Sequence, residues 1–388
     1  VIDMVFKSSV KSELTPELSE VQIGFIPLTD CAPIVVASKM GFDKKYGISI
    51  KLHKEASWAA IRDKLICGDL HAAHALYGMV YGVELGIGGQ QKDMSVLMTL
   101  NHNGQGITLS NQLKDQGVNN GTDLSSFLKQ QASKLTFAQT FPTGTHAMWL
   151  YYWLASHGID PLRDVKTIVV PPPQMVANIT TSNVAGYCAG EPWNARAVYD
   201  NVGFTVATSQ DIWVDHPEKV LGVTAEFADL YPKTCQAMVM AMLEACRYLD
   251  VMENRPQVAD LIAGPDYVDA PNQVIHDRFV GNYDNGNGRK WHDVNAVKFF
   301  NDGKVNFPYL SDGIWFMTQF KRWGLLKSTP DYMAVASKVN RIDIYQQAAQ
   351  ALEIPVPQEY MRTSRLMDSV VWDGSDPDAY VNQFSIRC

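Results

Sequence analysis

The stretch Phe141-Pro-Thr-Gly-Thr-His146-Ala-Met-Trp149 carries the residue types most able to do chemistry. It joins an apolar strand, Leu135–Ala138, to an apolar helix, Ala147–Ala155. Thr143 or Thr145 is placed to cap that helix, whose first turn leaves backbone N–H groups free. Free N–H groups beside a histidine suit a small anion. The pattern points to holding an oxyanion, not to transforming one.

Other reactive residues do not assemble into a catalytic pattern. His71 and His74 form an HxxH and His292 precedes Asp293, but a metal centre needs three or four converging ligands and no third ligand stands near the first pair. The chain has no Gly-x-Ser-x-Gly elbow and no phosphate loop. Cys31 could be paired with His146 as nucleophile and base, yet its apolar neighbours and the lack of an orienting third group favour a packed thiol. The six cysteines are scattered through apolar runs without CxxC spacing, as buried thiols would be. The reading is a protein with no metal, no cofactor and no enzymatic activity.

The chain has 388 residues, beyond one ordinary core, so two domains are expected. With 46% apolar and 19% charged residues it has a globular composition, and no run reaches the length of a membrane span. A net charge of −8 with no basic tract excludes a nucleic-acid binder; Lys44-Lys45 is an isolated pair. Local field, not net charge, governs anion binding.

Strand and helix patterns alternate from Val21. Strands are expected over 21–26, 48–52 and 72–76. Helices are expected over 33–40, begun by Thr29 or Asp30, and from Trp58, begun by Ser57. Gly41 and Gly68 stop these helices. Loop and strand follow over 85–109, and the polar segment 110–133 reads as a boundary. A second series places strands at 135–138, 167–170, 184–188 and 204–207, with helices at 147–156, 173–180 and 192–200. From Glu218 the pattern reads as helical, and 371–388 as an extended arm. Such alternation implies mostly parallel α/β sheets. The expected units are a lead-in over 1–20, lobe I over 21–133, lobe II over 134–215, and a return to lobe I over 216–388.

Several motifs together resemble the substrate-binding proteins of nitrate, nitrite and bicarbonate ABC transporters, in particular the exported proteobacterial nitrate-binding type. They are Gly24-Phe-Ile-Pro-Leu-Thr-Asp-Cys-Ala-Pro33, Met40–Gly47, Glu55-Ala-Ser-Trp58, Gly104-Gln-Gly-Ile107, Phe141–Trp149, Pro171-Pro-Pro-Gln174, Gly190-Glu-Pro-Trp-Asn194 and His216-Pro-Glu-Lys219. The resemblance covers about residues 20 to 375. It implies an α/β, two-lobed type II periplasmic-binding-protein fold with ligand in the inter-lobe cleft.

The same resemblance implies the ligand residues. By pattern alone Trp58 is a core aromatic, Gln105 and Gly190 are turn residues, and Lys219 is a surface lysine. The family places these positions at the ligand. Trp58 would then offer its indole N–H, Gln105 its amide, His146 a ring nitrogen, Gly190 a backbone N–H and Lys219 a fixed positive charge. Pro172 and Thr29 would shape the cleft wall. Glu191 is expected to turn away. Lobe I would supply Trp58 and Gln105, lobe II His146 and Gly190, and Lys219 would lie at the return crossover.

Nitrate offers only acceptors, so its site needs converging donors and a cation. A lysine at position 219 favours nitrate or nitrite over bicarbonate, which would suit an acidic residue and a bound cation there. The expected function is a nitrate receptor, with nitrite as a second ligand, that serves the membrane permease of an ABC transporter without spanning the membrane itself. A periplasmic location is expected, with residues 1–20 reading as a polar lead-in rather than a signal core. A cytoplasmic nitrate sensor acting on a regulatory partner and a bicarbonate receptor are the alternatives.

Overall fold

In the computed structural model, which describes residues 14–388, Val21, Ile23 and Phe25 are buried along β1 (Glu20–Phe25). Parallel strands flank it on both sides: β2 (Ser49–Lys54) and β3 (Ala72–Leu76). Beyond β3 lie β10 (Lys219–Thr224) and β4 (Met94–Thr99), giving a five-stranded sheet in the order β2-β1-β3-β10-β4 with β10 antiparallel to both neighbours. The punctuation expected from sequence is present. Ser57 Oγ accepts the Ala60 N–H at 3.1 Å to start the helix Trp58–Cys67. Gly41 and Gly68, at φ 78° and 87°, adopt the left-handed turn that ends each helix.

The second sheet repeats this plan. Its order is β7-β6-β8-β5-β9, built from β5 (Gln105–Ser110), β6 (Thr136–Gln139), β7 (Lys166–Val169), β8 (Gly186–Gly190) and β9 (Gly203–Thr208). Here β5 is the antiparallel strand, between β8 and β9. Each sheet thus takes one strand delivered by a crossover from the other. The β4–β5 connection enters the second sheet and the β9–β10 connection returns. The two crossovers are tied together: His102 bridges both Pro217 and Lys298, and Asn103 Oδ1 accepts the Asp215 N–H at 2.8 Å.

Four expectations are corrected. The change of sheet falls before Gln105 and not within 110–133, because β5 pairs with β8 and β9. Gln105 therefore belongs to the second sheet. The segment 110–133 holds two helices, Asn111–Asp115 and Gly121–Lys129, whose polar outer faces hide their periodicity. The chain after Glu218 is not helical at once: β10 comes first, masked by its uniformly buried environment. The tail is not extended, since Pro377–Asn382 is helical and begins with Asp376 as its cap.

The remaining chain binds the halves together. Helix Pro232–Leu249 packs on Ala32–Lys39, and Glu17 caps its start by accepting the Lys233 and Thr234 N–H groups. Residues 1–13 of the expected lead-in lie outside the described residues. Helix Leu310–Arg322 packs on Tyr77–Glu84 and on Thr145–Ser156, with Trp315 stacked on Trp149 at 5.1 Å. Of the cysteines, Cys31, Cys188, Cys235 and Cys246 are buried thiols, whereas Cys67 and Cys388 are exposed; all are free. No helix among the described residues is long and apolar enough to cross a membrane.

Candidate anion-binding site

The two crossovers end at Gln105 and Lys219, the first residues of β5 and β10, and their side chains meet in the interior. Lys219 is fully buried. Its ammonium donates to Asp30 Oδ2 at 2.8 Å, Glu218 Oε1 at 3.1 Å and Gln105 Oε1 at 3.4 Å. A buried lysine survives only with such partners. The indole face of Trp58 lies 5.8 Å from the same ammonium, a cation–π distance.

Asp30 organises one side. The turn Thr29–Cys31 carries it inward, where it accepts from Lys219, from Gln105 Nε2 at 3.0 Å and from His74 Nε2 at 2.8 Å. Burial alone would raise its carboxyl pKa, but the Lys219 charge and the His74 bond outweigh it and hold the group well below the usual range. Asp30 does not cap the helix that follows, because its side chain is spent here.

Glu218 organises the other side. It accepts from Thr145 Oγ1 at 2.5 Å, Trp149 Nε1 at 2.8 Å and Lys219. The helix Thr145–Ser156 has Gly144 as its N-cap, with no side-chain cap from Thr143 or Thr145. The sequence suggested an anion at this helix start. The anion held by its first residues is the chain's own Glu218 carboxylate.

The structure brings Gln105, His146, Lys219, Trp58 and Gly190 together. Both Gln105 amide hydrogens are committed, to Asp30 and to the Asn103 carbonyl at 3.2 Å, so its Oε1 faces His146 and Lys219. His146 Nε2 donates to that oxygen at 2.7 Å, and its Nδ1 accepts from Thr140 Oγ1 at 2.9 Å. Gly190 pairs with Gln105 across β8 and β5, and a Cβ there would stand 2.6 Å from Gln105 Oε1. Trp58 Nε1 and Thr29 Oγ1 are buried donors with no protein partner.

Thr29 also donates its backbone N–H to the Glu191 carbonyl at 2.8 Å, and Trp193 Nε1 donates to the Pro27 carbonyl at 2.8 Å, so these contacts close one lobe on the other. Glu191 spends its carboxylate on Arg278 at 2.9 Å. Pro172 is buried in the turn Pro172–Gln174. The following Pro173 and Gln174 face Lys54, Glu55 and Ala56 across a cleft of about 600 Å³.

Sequence reasoning missed Asp30, Glu218 and His74 as members of the cluster. A signal existed for two of them: Asp30 follows Thr29 and Glu218 precedes Lys219, and a lysine placed inside a sheet requires carboxylates. The HxxH pair has no common target, because His74 binds Asp30 whereas His71 Nδ1 accepts the Gln22 N–H. Among the described residues no three His, Cys, Asp or Glu side chains form a metal cluster. Burial and the neighbouring Asp30 push the Cys31 thiol far up, which removes it as a nucleophile.

Two α/β lobes linked by paired crossovers, with a charged cluster buried where the crossovers end, define a two-lobed solute-binding protein of the periplasmic-binding type. The chain belongs to the NMT1-like family, whose model matches residues 14–263. It is 38% identical to the nitrate/nitrite binding protein NrtA of Synechocystis sp., over 99% of this chain and 89% of that protein. It is also 38% identical to NrtA of Synechococcus elongatus, over 96% and 87% respectively. The bicarbonate-binding protein CmpA of Synechococcus sp. is 29% identical over 96% of this chain and 88% of that one. The crystal structure of the periplasmic nitrate-binding protein NrtA from Synechocystis superposes with a TM-score of 0.92 at 38% identity, covering 96% of this chain and all of the other. The chain is accordingly a binding protein and not an enzyme.

Proposed function

We propose that this protein is the nitrate receptor of an ABC transporter, capturing nitrate, and nitrite as a second ligand, outside the cytoplasmic membrane and presenting it to a membrane permease. One observation carries this reading: Lys219, a permanent cation, is buried where both crossovers meet, 5.8 Å from the ring of Trp58, whose indole N–H is buried without a partner. A planar anion that accepts from Lys219 and Trp58 uses an ammonium that is already desolvated and an indole N–H that has nothing else to bond. His146 and Gln105 set the polar wall beside it, and Gly190 keeps that wall flat.

The two-lobed frame supplies the mechanism. An anion bridging side chains from both sheets favours the closed arrangement over the open one, and this differential affinity drives closure. The Thr29–Glu191 and Trp193–Pro27 hydrogen bonds complete the closed lip. The likeness to NrtA at 38% identity supports nitrate over bicarbonate, for which the named relative stands at 29%.

Isothermal titration with nitrate, nitrite and bicarbonate, the last with and without calcium, tests the reading. Saturable nitrate binding without bicarbonate binding is expected. Calcium-dependent bicarbonate binding in place of nitrate binding would overturn the ligand while leaving the fold intact.

A further inference from the structure

Burial and the hydrogen bonds together set the charge of the cluster before any ligand arrives. His146 has Nε2 on the Gln105 amide oxygen and Nδ1 on the Thr140 hydroxyl, an arrangement that a neutral ring satisfies, and burial pushes its pKa well down. His216 donates from Nδ1 to the Pro217 carbonyl at 3.1 Å and accepts at Nε2 from Ser209 Oγ, whose own oxygen takes the Gln105 N–H. His74 donates from Nε2 to Asp30, and its Nδ1 is buried with no partner, where a second N–H would be stranded. With three neutral imidazoles, the carboxylates of Asp30 and Glu218 outweigh the single ammonium of Lys219. The site therefore carries one net negative charge, and all three groups are buried.

A monovalent anion added to that cluster would double its negative charge in a place without solvent. We infer that the anion binds together with one proton from solvent, and that Glu218 receives it. The inference rests on the anion-receptor reading. When an anion takes the Lys219 ammonium, Glu218 loses its only close cation. The proton then neutralises its carboxylate, and the net charge of the filled site equals that of the free one. A protonated Glu218 is also a donor, so an oxygen of the anion can occupy the place on Oε1 that the ammonium held.

The groups facing Glu218 from each element support this choice. They are Lys219 on its own strand, His146 at 3.6 Å from the helix Thr145–Ser156, His216 at 3.7 Å from the return crossover, Asp30 across Lys219 with His74 behind it, and the Cys188 thiol on β8. Asp215 and Arg362 act on His216 from beyond. Burial pushes His146 well down, His216 to about 3 and His74 down, while it pushes the Glu218 carboxyl up. Glu218 is the member of the cluster most ready to accept a proton.

The test is titration calorimetry of the full chain with sodium nitrate at pH 8, in buffers of widely different ionisation enthalpy. About one proton taken up per nitrate is expected, with affinity falling by up to tenfold per pH unit on the alkaline side. Heats that do not depend on the buffer overturn proton uptake while leaving the receptor reading in place; absence of nitrate binding in every buffer overturns both. The receiving group is read on the same unmodified protein by infrared difference spectroscopy, in which nitrate should convert a carboxylate band into a protonated-carboxyl band. No such conversion overturns the assignment. Glu218→Gln, if it folds, should bind nitrate without buffer-dependent heat, and continued proton uptake in that variant overturns the role of Glu218.

Discussion

Gln105 and Lys219 occupy matching positions: each opens the strand that a crossover delivers to the opposite sheet, and Gln105 Oε1 lies 3.4 Å from Lys219 Nζ. The contact is therefore a contact between the two hinges. Any motion that parts the lobes alters it, and any ligand that bridges it resists that motion.

Gly190 tests how flat the wall must be. In Gly190→Ala the new methyl would press on Gln105 Oε1 at 2.6 Å and on Leu28 Cδ2 at 2.9 Å. Overpacking of this kind costs about 1–3 kcal/mol. Nitrate affinity measured by titration should fall about tenfold or more. Unchanged affinity would place the anion elsewhere.

Trp58 Nε1 has no protein partner, so its removal should leave the fold intact. Trp58→Phe should lower the melting temperature by a few degrees, the cost of the packing lost from a fully buried ring, because the orphaned donor itself contributes nothing. The same variant should weaken nitrate binding by about 1.5–3 kcal/mol, as loss of a hydrogen bond to a charged group does. A large drop in melting temperature with unchanged affinity would reverse the assignment.

Asp30→Asn should do the opposite. Removing one partner of a buried ion pair costs about 3–5 kcal/mol, read from urea unfolding at pH 7. The Asp30 carboxyl is held well below its ordinary value, so its contribution is complete above the unfolded pKa of about 3.9 and is lost as pH falls below it. The stability gap between wild type and variant should therefore narrow below about pH 4. A gap that stays constant with pH would contradict the pairing.

His216 gives an acid limb of its own. Burial lowers its ring to about 3, against an unfolded value of about 6.5. The stability it contributes is complete above about 6.5 and is lost as pH falls from there towards 3, at about 1.4 kcal/mol per pH unit. An NMR titration should show the His216 ring neutral at pH 5. A ring titrating near 6.5 would mean that His216 is not buried in solution.

Much of the frame was legible in the sequence because local signals wrote it. Ser57 as a cap, the stop glycines at 41 and 68, and the alternating series from Val21 all give strands and helices where expected. Strand β10 was not legible, because Lys219–Thr224 is buried on both faces and shows no alternation. The place of β5 was not legible either, since which sheet a strand joins depends on pairing across 85 residues, as with Gln105 and Gly190, and not on its own composition. At the site, Lys219 could be chosen from its motif, but Asp30 and Glu218 carry ordinary surface residue types. Their burial is set by the lysine they surround, a relation that exists only in three dimensions.

The most direct measurement is the crystal structure of this protein grown with nitrate. One nitrate should lie within hydrogen-bonding distance of both Lys219 Nζ and Trp58 Nε1, beside the hydrogen-bonded pair Gln105 and His146. Nitrate found at the outer cleft beside Arg196 and Lys54, with Lys219 still bound to Asp30 and Glu218, would contradict the account.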